Sequence, residues 1–239
     1  MLRNNIKIVL KQTTLSRNLG AAARAMKTMG FSDLSLVQKK CDVDPLCIAV
    51  STSGSEILDS RTEYSDLSSA ISDCNVVFAT SSRARTIKWP TLTLREASEY
   101  ISKLSDDKKV GIIFGGESSG LDNTDLRSSD YQLVIPADPI YPVLNLAQAV
   151  QLVCYELYVM LCEKPTHVDL KQEDLADHKG KNILRIRLKE ILQRIEKIDP
   201  TAKISILPKL EKIFTKANLS SSELNILLGL FKFILDHIK

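Results

Sequence analysis

The residues best placed for chemistry lie in Phe114-Gly-Gly-Glu-Ser-Ser-Gly-Leu121. This segment directly follows the apolar run Val110 to Phe114 and precedes a helix start that Asp122, Asn123 or Thr124 can cap. Glycines at 115, 116 and 120 let the backbone approach a ligand closely or take φ > 0, so the turn offers main-chain N–H and C=O groups to a small polar molecule. A glycine-rich strand-to-helix turn is also a common tight connection, and alone it does not choose between the two. Its exclusions are firmer. No GK[ST] follows the glycines and no GxGxxG is present, which removes a P-loop and the usual nicotinamide phosphate cradle. His167, His178 and His237 all lie beyond Glu163. The preceding chain therefore has no imidazole for a Ser–His–Asp triad, a HExxH zinc site or His-based phosphotransfer.

The elements that must position such a turn are legible as an α/β pattern. Apolar runs at Ile6–Leu10, Leu34–Val37, Val76–Ala79, Val110–Phe114 and Leu133–Ile135 alternate with helical spacing at Gly20–Met29, Asp66–Ser72, Leu94–Leu104 and Asn145–Leu161. Strands apolar on both faces predict a doubly wound parallel sheet covered by helices on each side. Residues 164–182 are polar, contain Pro165 and Gly180, and read as a linker. Beyond it, Ile183–Ile198, Pro208–Lys216 and Ser221–Ile238 predict a small all-α domain, with Pro208 in a first turn and Ser221 or Ser222 as an N-cap. The domain expectation is thus 1–163, a linker over 164–182, and 183–239.

At 239 residues, 44% hydrophobic and 26% charged, the chain suits one medium domain with a real core plus a smaller attachment. No apolar stretch approaches the ~20 residues needed to span a bilayer, and a cytoplasmic location with no membrane partner is the expectation. Five cysteines form no CxxC pair, so neither a disulfide framework nor a metal site is expected. The net charge of +3 is unevenly spread: 17 Lys+Arg against 19 Asp+Glu through Glu163, then 15 against 10. A basic tail suits a polyanion partner, and equally a soluble Lys-rich helix.

Three segments occur in one order: Asn18-Leu-Gly-Ala-Ala-Ala-Arg24-Ala-Met-Lys-Thr-Met-Gly30, then the glycine turn, then Tyr141-Pro-Val-Leu-Asn145-Leu-Ala-Gln-Ala-Val. In that order they resemble the three motifs of the SpoU branch of the SPOUT superfamily, the S-adenosylmethionine-dependent RNA ribose methyltransferases. Ala79-Thr-Ser-Ser-Arg-Ala-Arg-Thr-Ile-Lys-Trp-Pro90 and the C-terminal segments Lys209–Asn218 and Glu223–Leu227 extend the resemblance over nearly the whole chain, toward the TrmJ-type tRNA 2′-O-methyltransferases. The resemblance implies a SPOUT trefoil-knotted, mainly parallel sheet domain with a small C-terminal all-α domain that binds RNA. It also implies a homodimer with its site at the subunit interface, and methylation of a cytidine or uridine ribose at position 32 in the tRNA anticodon loop. A knot is not readable from periodicity, since threaded chains are nearly absent from ordinary folds.

Methyl transfer from a sulfonium needs neither metal nor covalent nucleophile, because the leaving group is already activated; positioning of donor and acceptor does most of the work. By resemblance, Arg24 acts near the target hydroxyl and phosphate. With a pKa above ~12 it is a poor base, and fixing phosphate and stabilising negative charge on oxygen is the expected role. Asn18 lies near the target ribose in the family and is also a simple N-cap. Arg83 matches an arginine of TrmJ-type enzymes, with Arg85 beside it as a solvated loop residue. Glu117 either braces its turn or contacts substrate, and Asn145 either caps its helix or holds the adjoining turn. The donor is expected against Thr80, Ser81 and Ser82, then Gly115, Gly120 and Leu121, then Ile135, and then Pro142, Val143 and Leu144, mostly through backbone groups. Trp89 is expected to anchor the loop before Pro90.

One departure bears on activity. SpoU-type motifs usually read Ser-Leu-Asn where this chain has Val143-Leu144-Asn145, which removes a hydroxyl and with it one hydrogen bond worth about 1 kcal/mol. Gly116 also stands where TrmJ-type chains can carry a larger polar residue. Ser118 or Ser119 could supply the missing hydroxyl. The alternatives are a catalytically silent RNA-binding protein of the same fold, motivated by Val143; a SpoU-type ribosomal RNA methyltransferase; and, on the glycine turn alone, a nucleotide-binding oxidoreductase.

Overall fold

The computed structural model describes residues 2–81, 89–162, 175–195 and 199–237. Two compact units divide the chain, Met1–Gln172 and Glu173–Lys239. In the first, β1 (Ile6–Lys11), β2 (Asp33–Val37), β3 (Thr62–Tyr64), β4 (Val76–Thr80), β5 (Thr91–Thr93), β6 (Val110–Phe114) and β7 (Tyr131–Val134) form one sheet in the order β3-β2-β1-β6-β4-β7-β5. Every ladder in it is parallel. The helices of this unit are α1 (Ser16–Thr28), α2 (Pro45–Ser51), α3 (Ser55–Asp59), α4 (Leu67–Ala70), α5 (Leu94–Ser102), α6 (Asn123–Arg127) and α7 (Leu146–Cys162).

The strand order explains where function can sit. From β1 the chain runs outward through β2 and β3, then crosses to β4 on the other side, and β6 later fills the gap between β1 and β4. Such a reversal is where open parallel sheets leave a crevice beyond their carboxyl ends. The glycine-rich turn follows β6 and so emerges there.

Both faces of the sheet are buried, as its apolar strands require. Val9, Val77, Ala79 and Ile113 pack with Ala70, Ile71, Leu121, Leu126 and Trp89 in one cluster. The alternate residues Ile8, Leu10, Phe78, Ile112 and Phe114 are as fully buried on the opposite face. Phe78 and Tyr131 are register partners whose rings stack at 5.5 Å, and Tyr100 of α5 completes the aromatic group. Cys74 and Cys154 are wholly buried, and burial pushes each thiol up to about 12, which makes them inert core residues.

Two strands and two helices escape the periodicity. β3 and β5 are three-residue edge strands rich in Thr and largely exposed, so they carry no apolar run. The helix α2 is set by local capping: Asp44 accepts the Cys47 amide at 2.7 Å and Pro45 occupies the first turn. The short α3 packs on α1, and its Ile57 and Leu58 are buried.

The second unit contains α8 (His178–Arg194), α9 (Pro200–Lys216) and α10 (Ser221–His237), packed around Leu184, Leu188, Ile191, Leu224 and Phe231. Three boundaries differ from expectation. Helix α8 begins at His178, inside the expected linker, because Asp177 caps it by accepting the Gly180 amide at 2.7 Å. Pro208 is interior to α9 rather than in its first turn: Asp199 and Pro200 start the helix, and Pro208 has no N–H to give the Ile204 carbonyl. Ser220, one residue earlier than expected, forms a capping box with Glu223 at the start of α10. Among the described residues no helix is long and apolar enough to cross a membrane.

Candidate active site

The turn after β6 folds back on itself. The Gly120 amide donates to the Gly116 carbonyl at 2.9 Å, and Gly120 takes φ +65°. A Cβ on Gly115 would collide with the Gly120 and Leu121 backbone, and one on Gly116 would lie 2.5 Å from the Gln12 carbonyl oxygen. Glycine is therefore required at 115 by close approach of two backbones. Gly116, the departure noted in the sequence, leaves the space taken by the left-handed Gln12 (φ 56°). The turn ends at Asp122, which caps α6 and forms a capping box with Asp125. Lys11 of β1 ties that end down through a 2.5 Å ion pair with buried Asp125.

Between this turn, the ends of β4 and β7, and the segment before α7 lies a cavity of about 310 Å³. Thr80, Ser81, Gly115, Gly120, Leu121, Ile135, Pro142, Val143 and Leu144 all line it. Ser82 and Arg83, with Arg85, lie outside the described residues. Phe114, Leu133, Leu146 and Ala149 complete the apolar wall. In the sequence these four look like any core residue of a strand or helix, and no signal separates them. Thr80 spends its hydroxyl on the Ile113 carbonyl at 2.9 Å, and the Ser81 amide donates to the Leu133 carbonyl at 3.0 Å, which fixes this wall across two strands. Ser118 and Ser119 line the same cavity as Val143, so hydroxyl groups are present there despite the valine.

Beside the cavity, Glu117 gathers polar groups from distant segments. One carboxylate oxygen accepts the Thr14 amide and hydroxyl, both at 2.9 Å; the other accepts the Asn18 side-chain amide at 2.9 Å and the Leu15 amide at 3.4 Å. Asn18 in turn accepts from the Asn145 side chain at 3.0 Å, and Asn145 accepts the Ala147 amide at 2.9 Å at the start of α7. One chain of hydrogen bonds thus joins all three motifs. Burial pushes the Glu117 carboxyl up, but donation from Asn18 and Thr14 outweighs it and holds the group below the usual range.

One expected role changes. Asn18 is not an N-cap: α1 starts at Ser16, and its cap residue Leu15 makes no side-chain cap bond. Glu117, from another loop, accepts the Thr14 and Leu15 amides just before the helix, and buried Asn18 bridges Glu117 and Asn145. Asn145 does cap its helix. Thr14, the main partner of Glu117, gave no signal in the sequence, because the contact spans 103 residues. Arg24 is exposed on α1 and does not line the cavity, and among the described residues no carboxylate pairs with it. Trp89 is buried and donates to the Ser129 carbonyl at 3.3 Å, as an anchor should. Among the described residues no His, Cys, Asp or Glu group is arranged to hold a metal ion.

Known proteins resemble this chain in sequence and fold. Residues 5–155 match the SpoU rRNA Methylase family. The tRNA (cytidine/uridine-2'-O-)-methyltransferase TrmJ of Pectobacterium atrosepticum is 35% identical over 235 residues, covering 95% of each chain. The protein of that name from Photorhabdus laumondii subsp. laumondii is 35% identical over 228 residues, again covering 95% of each. The crystal structure of TrmJ from Z. mobilis ZM4 superposes with a TM-score of 0.83 at 28% identity, covering 95% of this chain and 98% of that one. The parallel sheet with its helical C-terminal region is accordingly the SPOUT arrangement that the motifs implied. The match spans the sheet and every motif that lines the cavity, and the chain belongs to the SpoU rRNA methylase family.

Proposed function

We propose that this chain transfers the methyl group of S-adenosylmethionine to the ribose 2′-hydroxyl of a cytidine or uridine in the tRNA anticodon loop. The observation that carries the reading is the cavity at the sheet crest, which has the volume of a small-molecule site. Its walls fit the donor: Leu121, Leu133, Ile135, Leu144 and Leu146 offer an apolar slot for an adenine ring, and the glycine turn exposes backbone donors and acceptors for polar groups. When bound, S-adenosylmethionine supplies a methyl group on a cationic sulfur, already activated for displacement. The chain's own task is then to hold the acceptor ribose. The Glu117–Asn18–Asn145 network keeps three loops in register, and Arg24 fixes an RNA phosphate and offsets negative charge on the oxygen. The similarity to TrmJ tRNA methyltransferases supports tRNA as substrate.

The same similarity supports a knotted backbone, a cytoplasmic homodimer and a donor pocket completed by the partner's Arg24. Exposed Leu152, Tyr155 and Tyr158 on α7 form an apolar face suited to a second copy. Residues up to about 163 then form the catalytic domain, and the basic helices after the linker bind RNA, with Lys209, Lys212 and Lys216 on one side of α9. Arg83 and Ser82 keep their proposed roles at substrate and donor.

The test is transfer of labelled methyl from S-adenosylmethionine to unmodified total tRNA, with nucleoside analysis and Arg24→Ala as control. Ribose-methylated cytidine or uridine that disappears in the variant is the expected result. One observation favours a second reading, a silent RNA binder: Val143 faces the cavity without a hydroxyl. Donor binding with no product on tRNA would select it, and product on ribosomal RNA alone would redirect the substrate.

A further inference from the structure

We infer that Arg17 is a second phosphate contact for the substrate RNA, on the same face of α1 as Arg24. This rests on the tRNA reading above and extends it by a named residue. The helix Ser16–Thr28 contains no Asp or Glu and three cations, Arg17, Arg24 and Lys27. Lys27 is paired with Glu56 at 2.5 Å. Arg17 and Arg24 are both exposed, and among the described residues no carboxylate pairs with either. The nearby Asp44 is already taken, accepting the Ser16 hydroxyl and the Cys47 amide, each at 2.7 Å.

Seven residues of α-helix are nearly two turns, which sets the two guanidinium groups on one side of α1, with Cα atoms about 10 Å apart along the axis. Between them on that side Ala21 is half-buried and carries only a methyl group, whereas Gly20 is buried against the Cys47 backbone of α2, so a polyanion running from Arg17 to Arg24 passes over Ala21. Helix stability gives no reason for Arg17: a cation in the first turn opposes the helix dipole, and α1 has no acidic residue there to offset it. Its neighbour in sequence, Asn18, turns inward to Glu117 and Asn145. Arg17 therefore stands at the outer edge of the proposed ribose site. A guanidinium there suits the backbone next to the methylated nucleotide, since it binds phosphate through paired N–H groups and keeps its charge at any working pH.

The test measures tRNA binding by the full chain across a salt series, together with methyl-transfer kinetics, for wild type, Arg17→Ala, Arg17→Lys, Arg24→Ala and Lys27→Ala. Loss of one phosphate contact on a single-stranded loop lowers the slope of log K against log salt by about 0.7. Arg17→Ala is expected to show that loss, with tRNA affinity down about tenfold at low salt and KM raised more than kcat falls. Donor binding should stay unchanged, Arg17→Lys should restore most of the slope, and Lys27→Ala should keep it. A wild-type slope in Arg17→Ala, or an equal loss in Lys27→Ala, overturns the inference while the methyltransferase reading stands. Wild-type protein that neither binds tRNA in a salt-dependent manner nor methylates it overturns both. Arg17→Gln serves if the alanine variant folds poorly.

Discussion

The Asn18 side-chain amide donates to the Glu117 carboxylate at 2.9 Å, linking residues 99 positions apart. This bond makes the turn after β6 and the first turn of α1 one structural piece. Glu117 accepts the Thr14 and Leu15 amides just ahead of the helix, where the cap residue Leu15 makes no side-chain cap bond. A carboxylate there also suits the positive end of the helix dipole.

Glu117→Ala removes that acceptor and leaves orphan amides at the start of α1. The expected loss is about 1–2 kcal/mol in stability, comparable to deletion of a good N-cap, and methyl transfer should fall by more than donor affinity. Urea unfolding and isothermal titration with S-adenosylmethionine check the two effects separately.

The pH dependence follows from the same carboxyl. Its folded pKa is held below the ordinary 4.5, so its stabilising contribution is complete above that value and is lost as pH falls through the lower folded one. The stability difference between wild type and Glu117→Gln should be constant from neutral pH down to about 5 and shrink in more acid solution. A gap that widened on acidification would contradict the assignment.

Gly115 and Gly120 should respond differently to alanine. At Gly115 the added Cβ meets the Gly120 and Leu121 backbone, which must move and reshape the cavity; at Gly120 it meets nothing within 4 Å, but φ is +65°. Gly120→Ala is expected to cost about 1–2 kcal/mol with donor binding largely kept. Gly115→Ala is expected to abolish measurable donor binding. Thermal melts paired with equilibrium dialysis give the comparison.

Val143→Ser returns a hydroxyl to the cavity without altering its backbone. Donor affinity should change by less than about twofold, since the loss or gain of a partly solvated hydrogen bond is small, while the transfer rate rises. If Ser118 or Ser119 already supplies the hydroxyl, alanine at that serine lowers the rate and Val143→Ser recovers it. Single-turnover methylation measures both.

Lys7 offers a control far from the cavity, near the amino ends of the strands. It is buried, donates to the Ala70 carbonyl at 3.1 Å and pairs with Asp73 at 2.7 Å; Asp73 keeps Lys109 at 2.9 Å as a second partner. Lys7→Met should cost roughly 1–3 kcal/mol, less than breaking an isolated buried pair, because Asp73 is not left unpaired. Methyl transfer at 25 °C should be unaffected.

Local residue order determined the central strands, the long helices and the glycine turn. Apolar runs mark strands buried on both faces, and glycines mark a turn whose backbones must touch. The motifs Asn18–Gly30, Phe114–Leu121 and Tyr141–Val150 carried the family, and with it the side chains that line the cavity. Only the tertiary structure decided how those motifs meet. Insertion of β6 between β1 and β4 brings Thr14, Asn18, Glu117 and Asn145 within hydrogen-bond reach, and no periodicity encodes a contact across 103 residues. The same packing put Asn18 inside the helix rather than at its cap, whereas the helix starts at His178 and Pro200 are set locally, by Asp177 accepting the Gly180 amide and Asp199 accepting the Thr201 and Ala202 amides. Short edge strands such as Thr62–Tyr64 and Thr91–Thr93 form because a neighbouring strand presents its free edge, a property of the sheet and not of the three residues.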